Sequence, residues 1–128
     1  MNDSQIPQEW FDKGNRDIET AELLDAHNHY PSIICFHVQQ AIEKYLKGYL
    51  HAKGVTPRKT HDLVELISSC ATLNVDFGRF TDLCDKLSGY YLESRYPMPS
   101  LSEPTKQEVQ EFIKIAKAIV TLVTEKFE

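Results

Sequence analysis

The stretch that decides the fold is residues 32–52, which read SIICFHVQQAIEKYLKGYLHA. Its apolar residues recur at intervals of three and four, the spacing that places them on one helix face. They are Ile34, Val38, Ala41, Ile42, Tyr45, Leu46, Tyr49 and Leu50. Because this stripe is wide, the pattern predicts a central helix. Gly54 follows where helix ends favour glycine, and Pro57 then takes the chain out of helical geometry.

Helical patterns flank this stretch on both sides. Upstream, apolar residues at helical spacing predict a first helix over Gln8–His27, which ends at a break before Pro31. Downstream, Thr60 or His61 is predicted to cap a short third helix. The acidic Asp62 then falls in the first turn, where the helix dipole favours a negative charge.

Two more helices complete the pattern. A fourth is predicted from about Asp76 to Arg95, and a last one follows Thr105, whose sequence through Glu108 matches a capping box. Three prolines between residues 97 and 104 predict an extended connection. No stretch alternates as a strand does. The prediction is an all-α fold, an up-and-down bundle of four to five helices, in one domain over residues 1–128 with its core in about 8–127.

The charge pattern limits the classes of partner. The chain has a formal net charge of -5, so it has no broad basic field and DNA is not an expected partner. Any contact with a polyanion must be local, and its possible sources are Lys44, Lys47, Lys53, Arg58 and Lys59. No apolar run approaches the roughly 18 residues that a membrane span needs, and residues 1–8 lack signal-peptide features. A cytoplasmic protein without membrane contact is expected.

Several kinds of reactive site are not indicated. Cys35, Cys70 and Cys84 sit among apolar neighbours without Cys-x-x-Cys spacing, which predicts small core residues. His27 and His29 have no further ligand at metal-binding spacing. A nucleophile elbow and a glycine-rich phosphate loop are both missing from the sequence. We therefore predict no metal site and no cofactor.

A polar cluster lies on the central helix, within its otherwise apolar pattern. It holds Gln39, Gln40, Glu43, Lys44 and Lys47, and the polar loop 54–62 follows it. Gln40, Lys44 and Lys47 share one face at spacings of four and three. From the residues alone, the simpler interpretation is a solvated face that forms ordinary ion pairs.

A second cluster, residues 90–97, reads YYLESRYP and places three tyrosines around one arginine. This composition is typical of protein interfaces and of surfaces that stack bases. Tyr90 and Tyr91 are therefore candidate interface residues, with the alternative that they close the end of the bundle. Trp10 and the extra tyrosines exceed what one small core absorbs, which indicates a homodimer.

These clusters resemble the signature of prokaryotic HEPN (higher eukaryotes and prokaryotes nucleotide-binding) proteins. The matching segments are FHVQQAIEKYLKGYL at 36–50, KTHDL at 59–63 and SRYP at 94–97. The resemblance implies a bundle of four to five helices, frequent homodimers, binding of nucleotides or RNA, and partnership with a separately encoded minimal nucleotidyltransferase. HEPN ribonucleases carry an arginine followed, after four to six residues, by a histidine, and no arginine in this sequence has that spacing.

The clusters and the resemblance together favour a noncatalytic nucleotide-binding module. Its candidate binding residues are Gln40, Lys44, Lys47, His61, Asp62, Arg95 and Tyr96, with the lysines and the arginine offered to phosphates. Two alternatives stay open. One is a protein-interaction or toxin–antitoxin component without a ligand. The other is a metal-independent ribonuclease in which His61 acts as general acid or base, with Arg58 or Arg95 steadying phosphate charge.

Overall fold

The computed structural model describes residues 4–95 and 103–127, and side chains within 4–90 and 103–126. This part of the chain forms five α-helices and one 3-10 helix, with no strand. The elements are α1 (Pro7–Ala26), α2 (Pro31–Ala52), α3 (Leu63–Leu73), the 3-10 helix (Val75–Phe80), α4 (Thr81–Arg95) and α5 (Lys106–Phe127). The predicted all-α bundle is confirmed. No helix in the described ranges combines the length and the apolar character that crossing a bilayer requires.

The central position of α2 is also confirmed. This helix packs against α1, α3, α4 and α5, and every apolar residue of its predicted stripe is buried. Burial of a large aliphatic or aromatic side chain stabilises a fold by about 1.5–3 kcal/mol relative to exposure. The helix that carries the polar cluster is therefore held from several sides, which fixes the positions of its polar side chains.

The three cysteines are buried core residues, as predicted. Cys35, Cys70 and Cys84 are free thiols inside the bundle. Burial raises the pKa of each thiol to about 12, so all three stay protonated at neutral pH. Since the thiolate is the reactive form, these positions serve packing.

The start of α3 differs from the prediction by one or two residues. Asp62, and neither Thr60 nor His61, is the N-cap, and its carboxylate accepts hydrogen bonds from the Val64 and Glu65 N–H groups at 2.9 and 3.4 Å. The Thr60 hydroxyl in turn accepts from the Asp62 N–H at 3.0 Å. A carboxylate at the cap satisfies two otherwise unpaired donors, which a threonine two residues earlier does not reach.

The fourth helix also begins later than its periodicity predicts. Residues 75–80 form a 3-10 helix, and the Asn74 side chain accepts from the Asp76 N–H at 3.0 Å at its start. Side chains three residues apart lie on the same side of a 3-10 helix. Phe77 and Phe80 have this spacing and are both buried. The tighter winding thus sends both rings into the core before α4 starts at Thr81.

The capping box at the start of α5 is confirmed. The Thr105 N–H donates to Glu108 Oε1 and the Glu108 N–H donates to Thr105 Oγ1, both at 3.0 Å. Glu108 also accepts from Lys86 at 3.0 Å and from the Tyr90 hydroxyl at 3.1 Å. The Thr105 N–H first, and then Lys86 and Tyr90, lower the pKa of Glu108 to about 2. One carboxylate therefore caps α5 and ties it to α4.

This network predicts a loss of stability in acid. Well above pH 4.5, the ordinary pKa of this group, Glu108 is ionised in both the folded and the unfolded state, and its contribution of about 1 kcal/mol is complete. As the pH falls, Glu108 takes up its proton near pH 4.5 in the unfolded chain but only near pH 2 in the folded one. The stabilising contribution is therefore lost as the pH falls from 4.5 towards 2. Urea unfolding of wild type and Glu108→Gln, which keeps an acceptor but no charge, should show a stability difference at pH 7 that disappears near pH 2. A difference that does not change with pH would contradict this role.

Candidate functional site

α1 lies unusually close to α2 because each helix offers a glycine to the other. A Cβ added to Gly48 on α2 would lie 2.6 Å from the Phe11 ring and 2.9 Å from Trp10 Cβ. A Cβ added to Gly14 on α1 would lie 2.7 Å from the Tyr45 ring. Only glycine allows this approach, and it brings Trp10 of α1 against the polar cluster of α2.

The polar cluster of α2 is largely buried, which corrects the interpretation as a solvated face. Gln39, Glu43 and Lys47 are only 1%, 4% and 7% exposed. The Lys47 ammonium donates to Glu43 Oε2 at 3.1 Å, and His61 Nδ1 lies 2.9 Å from Glu43 Oε1. The Gln39 amide donates to the His61 carbonyl at 3.3 Å. The lysine and the glutamate lie four residues apart on one helix, a spacing that predicts such a pair. Their burial, which the charge pairing makes tolerable, depends on tertiary packing that helix spacing does not reveal.

Lys44 points to another part of the molecule. Its ammonium donates to Asp17 on α1, and Asp17 also contacts His37 Nδ1 at 3.3 Å. Gln40 is half-buried on α2. The structure thus brings Lys47 and His61 together through Glu43, and it places Lys44 in a separate cluster with Asp17.

Beside Lys47 lies a cleft of about 190 Å³, here called the Trp10 cleft. The described residues that line it are Gln5, Trp10, Lys47, His51, Thr56, Pro57, Arg58 and Lys59. The Trp10 and His51 rings are stacked, with centroids 5.9 Å apart and an angle of 18° between their planes. The Lys47 ammonium lies 5.8 Å from the centre of the indole. One wall is therefore aromatic and carries a cation at its buried edge.

The other wall is the connection between α2 and α3, which begins at Gly54 with a φ of +76°. This left-handed conformation is the one predicted for a glycine at a helix end. The turn leads the chain back past Trp10, so that Arg58 and Lys59 lie on the rim of the cleft with exposed side chains. Arg58 approaches Glu65 only to 3.8 Å, and both side chains are solvated. The rim cations are consequently available to an anion in the cleft.

The other residues predicted for the site or the interface do not line the Trp10 cleft as the structure describes it. Asp62 caps α3 next to His61. Tyr90 packs inside the bundle, where its ring lies 5.9 Å from Phe112 and its hydroxyl donates to Glu108. Tyr91 and Arg95 belong to α4, but their side chains lie outside the described part, as does the whole of Tyr96.

The sequence pattern does not assign the two aromatic residues of the cleft wall, Trp10 and His51, to a ligand site. In the sequence, Trp10 stands out only as a surplus aromatic residue, and His51 carries no signal of its own. The sequence signal for Trp10 is its residue type, because tryptophan combines a large apolar ring with an N–H that needs a hydrogen-bond partner and is enriched at interfaces. In the described part of the chain, no group of three or more histidine, cysteine, aspartate or glutamate side chains is arranged to hold a metal ion.

The fold and the cleft define a small helical bundle with a basic, aromatic-walled cleft. Residues 7–126 match the family model of the HEPN domain. The chain therefore belongs to the HEPN domain family, which confirms the resemblance noted in its sequence.

Two solved structures are similar to the whole bundle. TT1696 from Thermus thermophilus has a TM-score of 0.80 and 26% identity, and the match covers 94% of this chain and 97% of that chain. ST0689, an archaeal HEPN homologue, has a TM-score of 0.70 and 26% identity, with 96% and 98% covered. No curated protein matches the sequence.

Proposed function

We propose that this HEPN domain is a noncatalytic module that binds a nucleotide in the Trp10 cleft. The observation that carries the proposal is that one concave site is lined by an aromatic ring and three cationic side chains. They are Trp10, Lys47, Arg58 and Lys59. An aromatic face stacks on bases, and lysine and arginine bind phosphates. Because the chain as a whole is acidic, this local set supplies the attraction for an anionic ligand.

The proposal includes a homodimer that works beside a minimal nucleotidyltransferase. Leu23 at the end of α1, and Tyr30 and Ile33 at the start of α2, are exposed apolar side chains at one end of the helix pair. Exposed apolar surface supports a subunit interface there. Light scattering at micromolar concentration tests the dimer, and a monomer would contradict it.

The proposed partnership with a minimal nucleotidyltransferase rests on family membership. Co-purification of a co-encoded transferase with this chain tests it.

The test of the binding site is calorimetric titration of the purified chain with ATP, GTP, AMP and a short RNA, with thermal shift as a parallel readout. We expect saturable binding that weakens about tenfold or more in Lys47→Gln and in Trp10→Leu, since each loses a contact worth about 1.4 kcal/mol or more. Circular dichroism establishes that each variant is folded at the titration temperature.

Two further lysines make the result specific. Lys53→Gln is the matched control, because Lys53 is an exposed lysine at the C-cap of α2 whose ammonium lies over the Tyr49 ring, outside the described lining of the cleft. Its binding should equal that of wild type. If Lys44→Gln loses binding and Lys47→Gln keeps it, the ligand lies near Asp17, which would contradict the proposal that the Trp10 cleft is the binding site. Binding of no ligand would favour the interaction or toxin–antitoxin role.

The contact between Glu43 and His61 favours a second candidate function, a metal-independent ribonuclease. A buried carboxylate 2.9 Å from Nδ1 of a largely exposed histidine is the arrangement that orients a general base. In this reaction His61 takes the proton of a ribose 2′-hydroxyl, and the 2′-oxygen attacks the adjacent phosphorus. The bond from phosphorus to the 5′-oxygen breaks, that oxygen takes a proton from water, and a 2′,3′-cyclic phosphate remains. Arg58 and Lys59 would bind the phosphate.

RNA cleavage by the purified chain tests this second candidate. If it holds, EDTA leaves the rate unchanged, and His61→Asn lowers it by a factor of roughly 100 or more. Intact RNA after prolonged incubation, or cleavage that persists in His61→Asn, contradicts the ribonuclease. Neither outcome affects the proposal that the cleft binds a nucleotide, because binding does not require a catalytic general base.

A further inference from the structure

We infer that the Trp10 cleft recognises the phosphate chain of its ligand and not the base. Its ligand class would then be nucleoside di- and triphosphates of any base, and inorganic polyphosphate would act as a partial mimic of their phosphate chain. This inference deepens the proposed function and rests on it. Three features of the cleft support it.

The first feature is size. The cleft measures about 190 Å³, whereas pockets that enclose a small molecule usually measure about 300–1,000 Å³. A complete nucleotide therefore does not fit inside. One part of the ligand enters the cleft, and the rest lies across its rim against solvent.

The second feature is the supply of donors. The Lys47 ammonium has three N–H groups, and the hydrogen bond to Glu43 uses one of them. Glu43 offsets the charge of Lys47, so the net positive charge of the site comes from Arg58 and Lys59. The distant, solvated contact of Arg58 with Glu65 holds the guanidinium weakly. Arg58 can therefore turn to a phosphate and bind two of its oxygens.

The third feature is the kind of group that the lining offers: the helices supply the Trp10 and His51 rings and the Lys47 cation, and the neutral polar side chains lie outside the helices. Trp10 offers a flat face, and stacking tolerates every base because every base has a π surface. Selection of one base needs rigidly placed donors and acceptors. The amide of Gln5 and the hydroxyl of Thr56 are exposed and lie on connecting segments outside the helices. They are poorly suited to that selection.

A calorimetric series on the full chain, in metal-free buffer with EDTA, tests the inference. The ligands are adenosine, AMP, ADP, ATP, CTP, GTP, UTP and inorganic tripolyphosphate. We expect the dissociation constant to fall by about threefold or more with each added phosphate, so that ATP binds at least about tenfold tighter than AMP. The four triphosphates should agree within about threefold, and tripolyphosphate should compete with ATP.

Two exposed-residue variants locate the effect without disturbing the core. The double variant Arg58→Gln/Lys59→Gln should reduce the ratio of the AMP dissociation constant to the ATP dissociation constant to about threefold or less. Lys53→Gln should leave this ratio unchanged. If adenosine binds as tightly as ATP, or one base is preferred by tenfold or more, the inference is wrong and nucleotide binding still stands. If none of these ligands binds, the inference and the proposed function both fail.

Discussion

Replacing Lys47 with methionine is expected to lower the free energy of unfolding by about 2–3 kcal/mol and to weaken binding in the Trp10 cleft. Because the methionine side chain fills a volume similar to that of lysine, the loss of stability reports the missing charge. Glu43 would keep its contact with His61 but remain an under-compensated carboxylate in the interior, 4% exposed. Chemical denaturation at pH 7 measures the effect.

Two comparisons show whether burial of Glu43 is the cause. Lys44→Met removes the partner of Asp17, which is more exposed and retains its contact with His37, so we expect a loss of about 1 kcal/mol. The double variant Glu43→Leu/Lys47→Met removes both charges and should recover most of the stability, because an apolar pair often replaces a buried ion pair without loss. A Lys47→Met variant as stable as wild type would contradict the buried pair.

Gly48→Ala is the second substitution with a large expected effect. Alanine usually stabilises a helix interior by about 1 kcal/mol relative to glycine. At Gly48, however, the new methyl would overlap the buried Phe11 ring and Trp10 Cβ. The Phe11 ring is stacked on Tyr45 at 5.1 Å, so α1 itself has to move. We expect a net destabilisation of about 2 kcal/mol, measured by urea or thermal unfolding.

Gly89→Ala is the matched control for this prediction. Gly89 lies inside α4, and nothing stands within 4 Å of an added Cβ. The same substitution should therefore raise stability by about 0.5–1 kcal/mol. Opposite signs at the two glycines would establish the close approach of α1 to α2. If Gly48→Ala is as stabilising as Gly89→Ala, the packing that brings Trp10 to the cleft is wrong.

Most of the fold follows from local patterns in the sequence. The stripe on α2, the glycine that ends it and the capping box before α5 each depend on residues a few positions apart, and each is confirmed. The exact start of α3 depends on which of three adjacent polar residues reaches the free N–H groups. The 3-10 helix arises because Phe77 and Phe80 both find room in the core, which is a tertiary effect.

Much less of the candidate site is predictable from the sequence. Lys44 and Lys47 look equivalent on a helical wheel, yet one contacts Asp17, 27 residues away, and the other is buried with Glu43. Their difference depends on how α1 crosses α2. The role of Trp10 has the same origin, since its ring reaches the cleft only because Gly48 lets the two helices approach. Charge and spacing alone therefore place both lysines on α2 but do not predict which side chains they contact.

The most direct measurement is a titration of the Trp10 indole by ¹H–¹⁵N NMR spectroscopy. The chain has one tryptophan, so the spectrum contains one indole N–H signal, and that group donates to the carbonyl of Ser4, the residue before Gln5 of the cleft. With added ATP, the indole signal should shift saturably, and the shift should be lost in Arg58→Gln/Lys59→Gln and retained in Lys53→Gln. If ATP binds while the indole signal stays unchanged and signals elsewhere move, the nucleotide site is not the Trp10 cleft.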